Sequence, residues 1–557
     1  MILTFHVGTW MMTDPNPARL PNSNTEFTRG FRQAFDPVLS LLIAVLLVRT
    51  FLVEGYLIST GSMAPHYYGE QKRVVCPQCQ FQFAVGTEFD EDSLIETDDF
   101  AACPNCMANE SDLSNQPINR GDHLLVWKNA YQFRNPRRGE VIVFRNPNEP
   151  RETYIKRVVG LPEEEVLIRD GNLWVDGKIV QKSLEEQRAQ RVLVFDSAYQ
   201  PPDSETWAGR WSSDTLISGW TPTDSGWKYR PEYEDDWLTY RHTLRFGGVH
   251  ESTVCLPESM HEQVATAFIP RKTPFPFAPE PPFPGVRLEE NCLIATGVLS
   301  AVTHQKLRKV IPTDDYQSAV DQLLVKSHRT HVTDFTAYNH DMPTNRLSPI
   351  HEFSLETNIV PSESSGVIFI ELNTPTGFLR CEIDLKAQRV GLYRPQEEEP
   401  LMEEHFRLDA HGFLFEISSF DDRLLVAINK SIVMEPWPLN SASDSPHTPF
   451  EITRISGSAE FELKTLKLYR DIYYTSQNGE YASEQAFQVP ADHYFVLGDN
   501  SRVSSDSRRW EQPTVPRKLL IGKPFLVHLP STQETIGWRT WQIPYRKPDF
   551  SRIRFVR

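Results

Sequence analysis

Two hydrophobic patterns divide the chain. From Val38 to Val53 the residues are apolar except for Ser40, Arg49 and Thr50, and Tyr56-Leu57-Ile58 prolongs the run. A bilayer core takes roughly 17–25 apolar residues of helix, so the pattern predicts a membrane anchor over 35–55, with Arg49 snorkelling to the interface. A buried core helix is the competing reading. The run starts late and lacks a small-x-small exit site, which argues against a cleavable signal peptide. Its flanking charges are nearly balanced (Arg19, Arg29 and Arg32 against Asp14, Glu26 and Asp36) and give no orientation. Elsewhere the period is two. The segments Gly366–Leu372, Phe378–Asp384, Gly412–Ile417, Arg423–Ile428 and Phe461–Leu468 alternate apolar and polar residues, which predicts an antiparallel β-sandwich over 346–479. Tyr154–Gly160 alternates as well, placing Tyr154, Lys156 and Val158 on one face and Ile155, Arg157 and Val159 on the other.

At 557 residues the chain exceeds one core and predicts two to four domains. A net charge of -17 speaks against a nucleic-acid binder, which needs a basic footprint, and fits a soluble acidic surface. The 42 prolines imply many turns. Pro270–Pro284 reads as an extended linker within a stretch, 185–345, that also carries Trp207, Trp211, Trp220, Trp227 and Trp237. Among seven cysteines, Cys255, Cys292 and Cys381 are scattered and read as small buried hydrophobes. The other four form Cys76-Pro-Gln-Cys79 and Cys103-Pro-Asn-Cys106, the spacing of a four-cysteine zinc ribbon over 74–118. With all four positions filled, such a metal is structural. A pair of disulfides is the alternative if the domain faces an oxidising compartment.

The candidate chemistry begins soon after the apolar run, at Ser59-Thr60-Gly61-Ser62-Met63-Ala64-Pro65. A serine nucleophile needs a base, and a lysine serves only where burial brings its pKa from about 10.4 toward about 7–8. Lys156, in an apolar strand pattern, is placed for that. A lysine at a strand edge is its plainer reading. Phe495-Val496-Leu497 then runs into Gly498-Asp499-Asn500-Ser501-Arg502-Val503-Ser504-Ser505-Asp506-Ser507-Arg508, a turn whose polar groups must satisfy one another if buried.

These segments resemble the boxes of bacterial type I signal peptidases, membrane-bound Ser/Lys endopeptidases. Thr60–Pro65 resembles the nucleophile box, and Arg138-Gly139-Glu140-Val141-Ile142-Val143-Phe144 the next one. Tyr154–Pro162 resembles the lysine box and Gly498–Arg508 the last, while Gly121–Val126 fits the strand before the second. Ser59 stands where the family has proline, and Glu163 where it has glycine. The resemblance covers 35–75, 119–183 and 485–530. It implies Ser62 as nucleophile and Lys156 as general base, with the Thr60 hydroxyl and the Ser62 N–H as oxyanion hole. Ser504 would support the lysine, and Arg157–Asp499 and Asp506–Arg508 would be structural ion pairs. It also implies cleavage of signal peptides after Ala-x-Ala sites without a catalytic cofactor, single-pass residence in the cytoplasmic membrane, and an extracytoplasmic catalytic domain.

The expected fold is mainly β. A catalytic domain of 56–73, 119–184 and 480–557 follows an N-terminal tail, 1–34, and the anchor. The ribbon, the Trp/Pro-rich stretch and the sandwich are inserted into it. The sandwich is similar to laminin-G/concanavalin jelly rolls, with a protein or carbohydrate as candidate ligand. The combination of insertions resembles planctomycete-type signal peptidases. Two rivals stand beside this reading. One is a self-cleaving regulator of the LexA type, against which the apolar run and the lack of a helix-turn-helix pattern speak. The other is a membrane-anchored binding protein with a decayed protease site, working through its sandwich.

Overall fold

The computed structural model describes residues 23–87, 100–108, 110–200, 209–213, 215, 217–232, 235–243, 251–269, 282–296, 299–339, 347–407, 411–440, 451–476, 479–528, 531–538 and 541–556. Trp207, residues 270–281 of the expected linker and most of the N-terminal tail lie outside them. The chain divides into a unit ending at Glu54 and one running from Gly55 to Arg557.

The first unit is a helix, Ser23–Phe51, with Pro37 inside it. Its apolar side chains stand exposed, Val38 by 59% and Leu41 by 65%. A transmembrane helix is not established. Among the described residues no helix is long and apolar enough to cross a membrane.

In the second unit an eight-stranded sheet positions the site. Its order is Val53–Leu57, His123–Trp127, Leu520–His528, Val141–Arg145, Thr153–Gly160, His493–Leu497 and Val515–Pro516, with Arg554–Phe555 added to Leu520–His528. Val141–Phe144 is apolar without alternation because both faces are covered. Val141 and Val143 pack with Met63 and Leu124, and Ile142 and Phe144 with Tyr494 and Trp510. Register then decides the chemistry. Lys156 lies opposite Ile142, and Arg157 opposite Leu497, the last strand residue before the polar turn.

The remainder is mostly β too. A nine-stranded and a seven-stranded sheet enclose one apolar core. The sandwich is not confined to 346–479. Val192–Asp196, Trp220–Pro222 and Gly226–Tyr229 join the larger sheet, and Trp211–Ser213 and Leu238–Arg241 the smaller. These strands are three to five residues long, too short to show a period of two.

A separate lobe packs Glu251–Cys255, Cys292–Thr296 and Val286–Glu289 against the helices His261–Ala267, Ala301–Arg308 and Asp314–His328. Cys255 and Cys292 face each other across two of its strands and form a disulfide. This corrects their reading as lone hydrophobes. Residues 37 apart in the chain meet through pairing that spacing does not reveal. Cys381 is a buried free thiol, which burial pushes above the ordinary thiol range.

Candidate active site

Lys156 Nζ donates a hydrogen bond to Ser62 Oγ at 2.6 Å, and both residues are buried. The lysine also lies over the Tyr154 ring, 5.4 Å from its centre. Tyr154, Lys156 and Ser62 line a cleft of about 510 Å³, with Tyr56–Gly61, Leu124 and Val143 among its other walls. Thr60 is exposed at its mouth. Among the described residues no acceptor takes the Ser62 backbone N–H, so this donor is free for a ligand in the cleft.

The polar turn braces Ser62 from behind. Asn500 N–H donates to Ser62 O at 3.0 Å, and Asn500 Nδ2 donates to Gly61 O at 3.0 Å. Arg157 grips Asp499 through two hydrogen bonds, at 2.7 and 2.5 Å, and reaches Gly139 O at 2.7 Å. His66 Nδ1 stands 2.9 Å from the same carboxylate. Burial opposes the Asp499 charge, yet Arg157 outweighs it and holds the carboxyl well below the usual range. Arg508 binds Asp506 at 2.9 and 2.7 Å and ties down Thr475 O and Ser501. Burial again opposes the Asp506 carboxylate, and Arg508 again keeps it ionised.

Ser504 is buried within the polar turn. Its hydroxyl is fully buried and makes no hydrogen bond to Lys156. It lies against Gly498, where a Cβ would come within 2.2 Å of Ser504 Oγ and 2.5 Å of Ser62 O. It also helps hold the Asp506 carboxylate ionised. The close approach explains why the residue before Asp499 has no side chain.

Residues outside the expected set also reach the site. Tyr338 and Asn339, from the stretch between lysine and polar turn, line the same cleft. Tyr338 stacks on Tyr68 at 5.7 Å and donates to Glu70 O at 2.7 Å. No sequence signal marks them, since Tyr338 meets Glu70 across 268 residues and Asn339 meets Asn500 across 161.

The four ribbon cysteines converge as well. Their sulfurs are buried and lie within 4.8 Å of one another, with Cys76–Cys106 and Cys79–Cys103 at 3.6 Å. A disulfide needs about 2.05 Å. Four sulfurs about 2.3 Å from a common centre would lie about 3.8 Å apart, so the donor set fits tetrahedral zinc.

A buried serine hydrogen-bonded to a buried strand lysine is an arrangement able to carry Ser/Lys hydrolase chemistry. The family model described as "Signal peptidase, peptidase S26" matches residues 107–218 and 426–529, which include Lys156, Asp499 and Ser504 but not Ser62. Over these residues the chain is similar to the signal peptidase S26 family. It is 29% identical over 187 residues to Signal peptidase I of Pseudomonas aeruginosa, which covers 31% of this chain and 47% of that protein. It is 38% identical over 68 residues to Probable signal peptidase I-2 of Synechocystis, covering 11% and 31%. The chain thus spans less than half the length of these two relatives. Among solved structures it is similar to galectin LEC-6 of Caenorhabditis elegans, at 12% identity over 21% of this chain and 83% of that one with a TM-score of 0.18. The carbohydrate-binding module CBM66 of Bacillus subtilis matches at 10% identity over 22% and 73%, with a TM-score of 0.15. Scores this low carry no argument.

Proposed function

We propose that this protein is a membrane-associated serine endopeptidase that removes signal peptides from exported preproteins. One observation carries the reading: in a chain similar to this family, Ser62 Oγ and Lys156 Nζ stand 2.6 Å apart in a cleft of about 510 Å³. Ser62 Oγ attacks the scissile carbonyl carbon and passes its proton to the neutral Lys156 amine. The Ser62 N–H and the Thr60 hydroxyl stabilise the oxyanion as charge develops. Lys156 then protonates the leaving amine, and a water deprotonated by the same lysine hydrolyses the acyl ester. The Arg157–Asp499 and Asp506–Arg508 pairs hold the turn behind Ser62, and Ser504 spaces that turn from the serine.

Val53–Leu57 is the edge of the catalytic sheet, where a signal-peptide C-region can add by main-chain hydrogen bonds. Alternate side chains of such a strand enter the cleft, which suits small residues at Ala-x-Ala positions. The exposed apolar face from Val38 to Phe51 is read as the part that contacts the bilayer, since soluble surfaces seldom leave so much apolar area open. We assign the catalytic parts to 56–73, 119–184 and 480–557, and a structural Zn²⁺ to Cys76, Cys79, Cys103 and Cys106.

The test uses detergent-solubilised full-length protein and a preprotein with an Ala-x-Ala site. Ser62→Ala and Lys156→Ala each lower processing roughly a thousandfold or more. Unchanged processing in either variant sinks the dyad. No processing by the wild type favours a decayed site.

A further inference from the structure

The long insertion between Lys156 and the polar turn returns to the catalytic site at one short segment. Ala337 sits in the ribbon's apolar core, Tyr338 covers Gly61, and Asn339 meets Asn500. The last contact is reciprocal. Asn339 Nδ2 donates to Asn500 Oδ1 at 2.7 Å, and Asn500 Nδ2 donates back to Asn339 Oδ1 at 2.7 Å. Both amides are buried, at 6% and 4% exposure, so each depends on the other for satisfaction. The second hydrogen of Asn500 Nδ2 goes to Gly61 O.

That last bond matters because of the peptide it holds. Gly61 C=O and Ser62 N–H belong to one planar trans unit and point in opposite directions. Fixing the carbonyl therefore fixes where the Ser62 N–H points, and this is the oxyanion donor of the proposed reaction. Asn500 also takes Ser62 O through its own backbone N–H, so both peptide units around the nucleophile are clamped by one residue.

We infer that Asn339 is a positioning residue for the nucleophile turn, supplied to the catalytic domain by the insertion. It locks the Asn500 amide in the orientation that aims the Ser62 N–H into the cleft. The inference rests on the Ser62/Lys156 reading. It assigns the insertion a part in completing the active site, beyond any ligand its sandwich binds. Oxyanion donors act on the transition state more than on bound substrate, so loss of Asn339 falls on kcat and leaves KM nearly unchanged.

The test is Asn339→Leu, which keeps the branched four-heavy-atom side chain and removes both hydrogen bonds, measured in the full-length protein with a signal-peptide substrate. Asn339→Asp, which keeps only the acceptor, is the milder companion. Asp334→Asn is the control for docking, because Asp334 anchors the same segment through Arg502 at 2.7 Å without facing the cleft. We expect kcat to fall about 10- to 100-fold in Asn339→Leu and less in Asn339→Asp, with KM and the pH profile unmoved. Asp334→Asn lowers the melting temperature but keeps kcat per folded molecule. Wild-type kcat in Asn339→Leu overturns the inference, as does an equal loss in Asp334→Asn at matched stability. A wild type that cleaves nothing, or a Ser62→Ala variant that cleaves as well as it, overturns the underlying dyad and the inference with it.

Discussion

Asp499→Asn separates a structural ion pair from a catalytic one. The Arg157 and Asp499 side chains are 3% and 0% exposed, and two hydrogen bonds join them. Replacing the carboxylate by an amide leaves a guanidinium buried without its counter-charge, which costs about 3–5 kcal/mol. In a domain of this size each kcal/mol lowers Tm by about 2–4 °C, so the shift is roughly 6–20 °C. The sign of the pH dependence follows from the depressed Asp499 carboxyl. Its contribution is present above the unfolded value of about 3.9 and is lost as pH falls through the lower folded value. The variant therefore loses most at neutral pH, and the gap to wild type narrows in acid.

The paired replacement Arg157→Met with Asp499→Leu removes both charges. It recovers much of the loss, short of about 1–3 kcal/mol for the partners it orphans, Gly139 O and His66. Urea unfolding of the detergent-solubilised protein, followed by tryptophan fluorescence between pH 3 and 8, reads the wild type, Asp499→Asn, the double variant and its two singles, Arg157→Met and Asp499→Leu. A single-variant cost below about 1 kcal/mol, or a double variant as unstable as the sum of its singles, would refute the argument.

Other outcomes test neighbouring parts. Gly61→Ala puts a Cβ within 2.0 Å of the Tyr338 ring, so kcat/KM should fall at least about tenfold, and adding Tyr338→Ala should restore part of it, as steady-state kinetics would show. Stripping metal with a chelator should release about one zinc per chain, lower Tm and reduce cleavage, because Ala337 in the ribbon core adjoins Asn339; full activity in demonstrably zinc-free protein would contradict this. Replacing Cys255 and Cys292 by serine opens a 37-residue separation and should destabilise the 251–329 lobe by about 3–4 kcal/mol, seen as earlier proteolysis there, while cleavage below its unfolding temperature persists.

What could be read in advance follows from how local each signal is. Lys156 stood out because a strand's period is two and its neighbours are apolar, and the polar turn because so many hydroxyls, carboxylates and arginines fall within one short segment. The cysteines were legible because two thiolates of each pair sit on one tight turn. Asn339 is an ordinary amide in an unpatterned stretch, and its meaning comes only from Asn500, 161 residues on. The disulfide and the short sandwich strands at 192–241 share that character, since pairing partners in an antiparallel sheet carry no mark in either strand alone. Ser504 was legible as a member of the turn, and Gly498, lacking a side chain, lets that turn approach Ser62 closely. A motif therefore locates such a residue within its segment, whereas the contact it makes depends on how tightly the segment closes. That closure is set by the Asn500 bonds to Gly61 and Ser62, and through them by an insertion that no catalytic box contains.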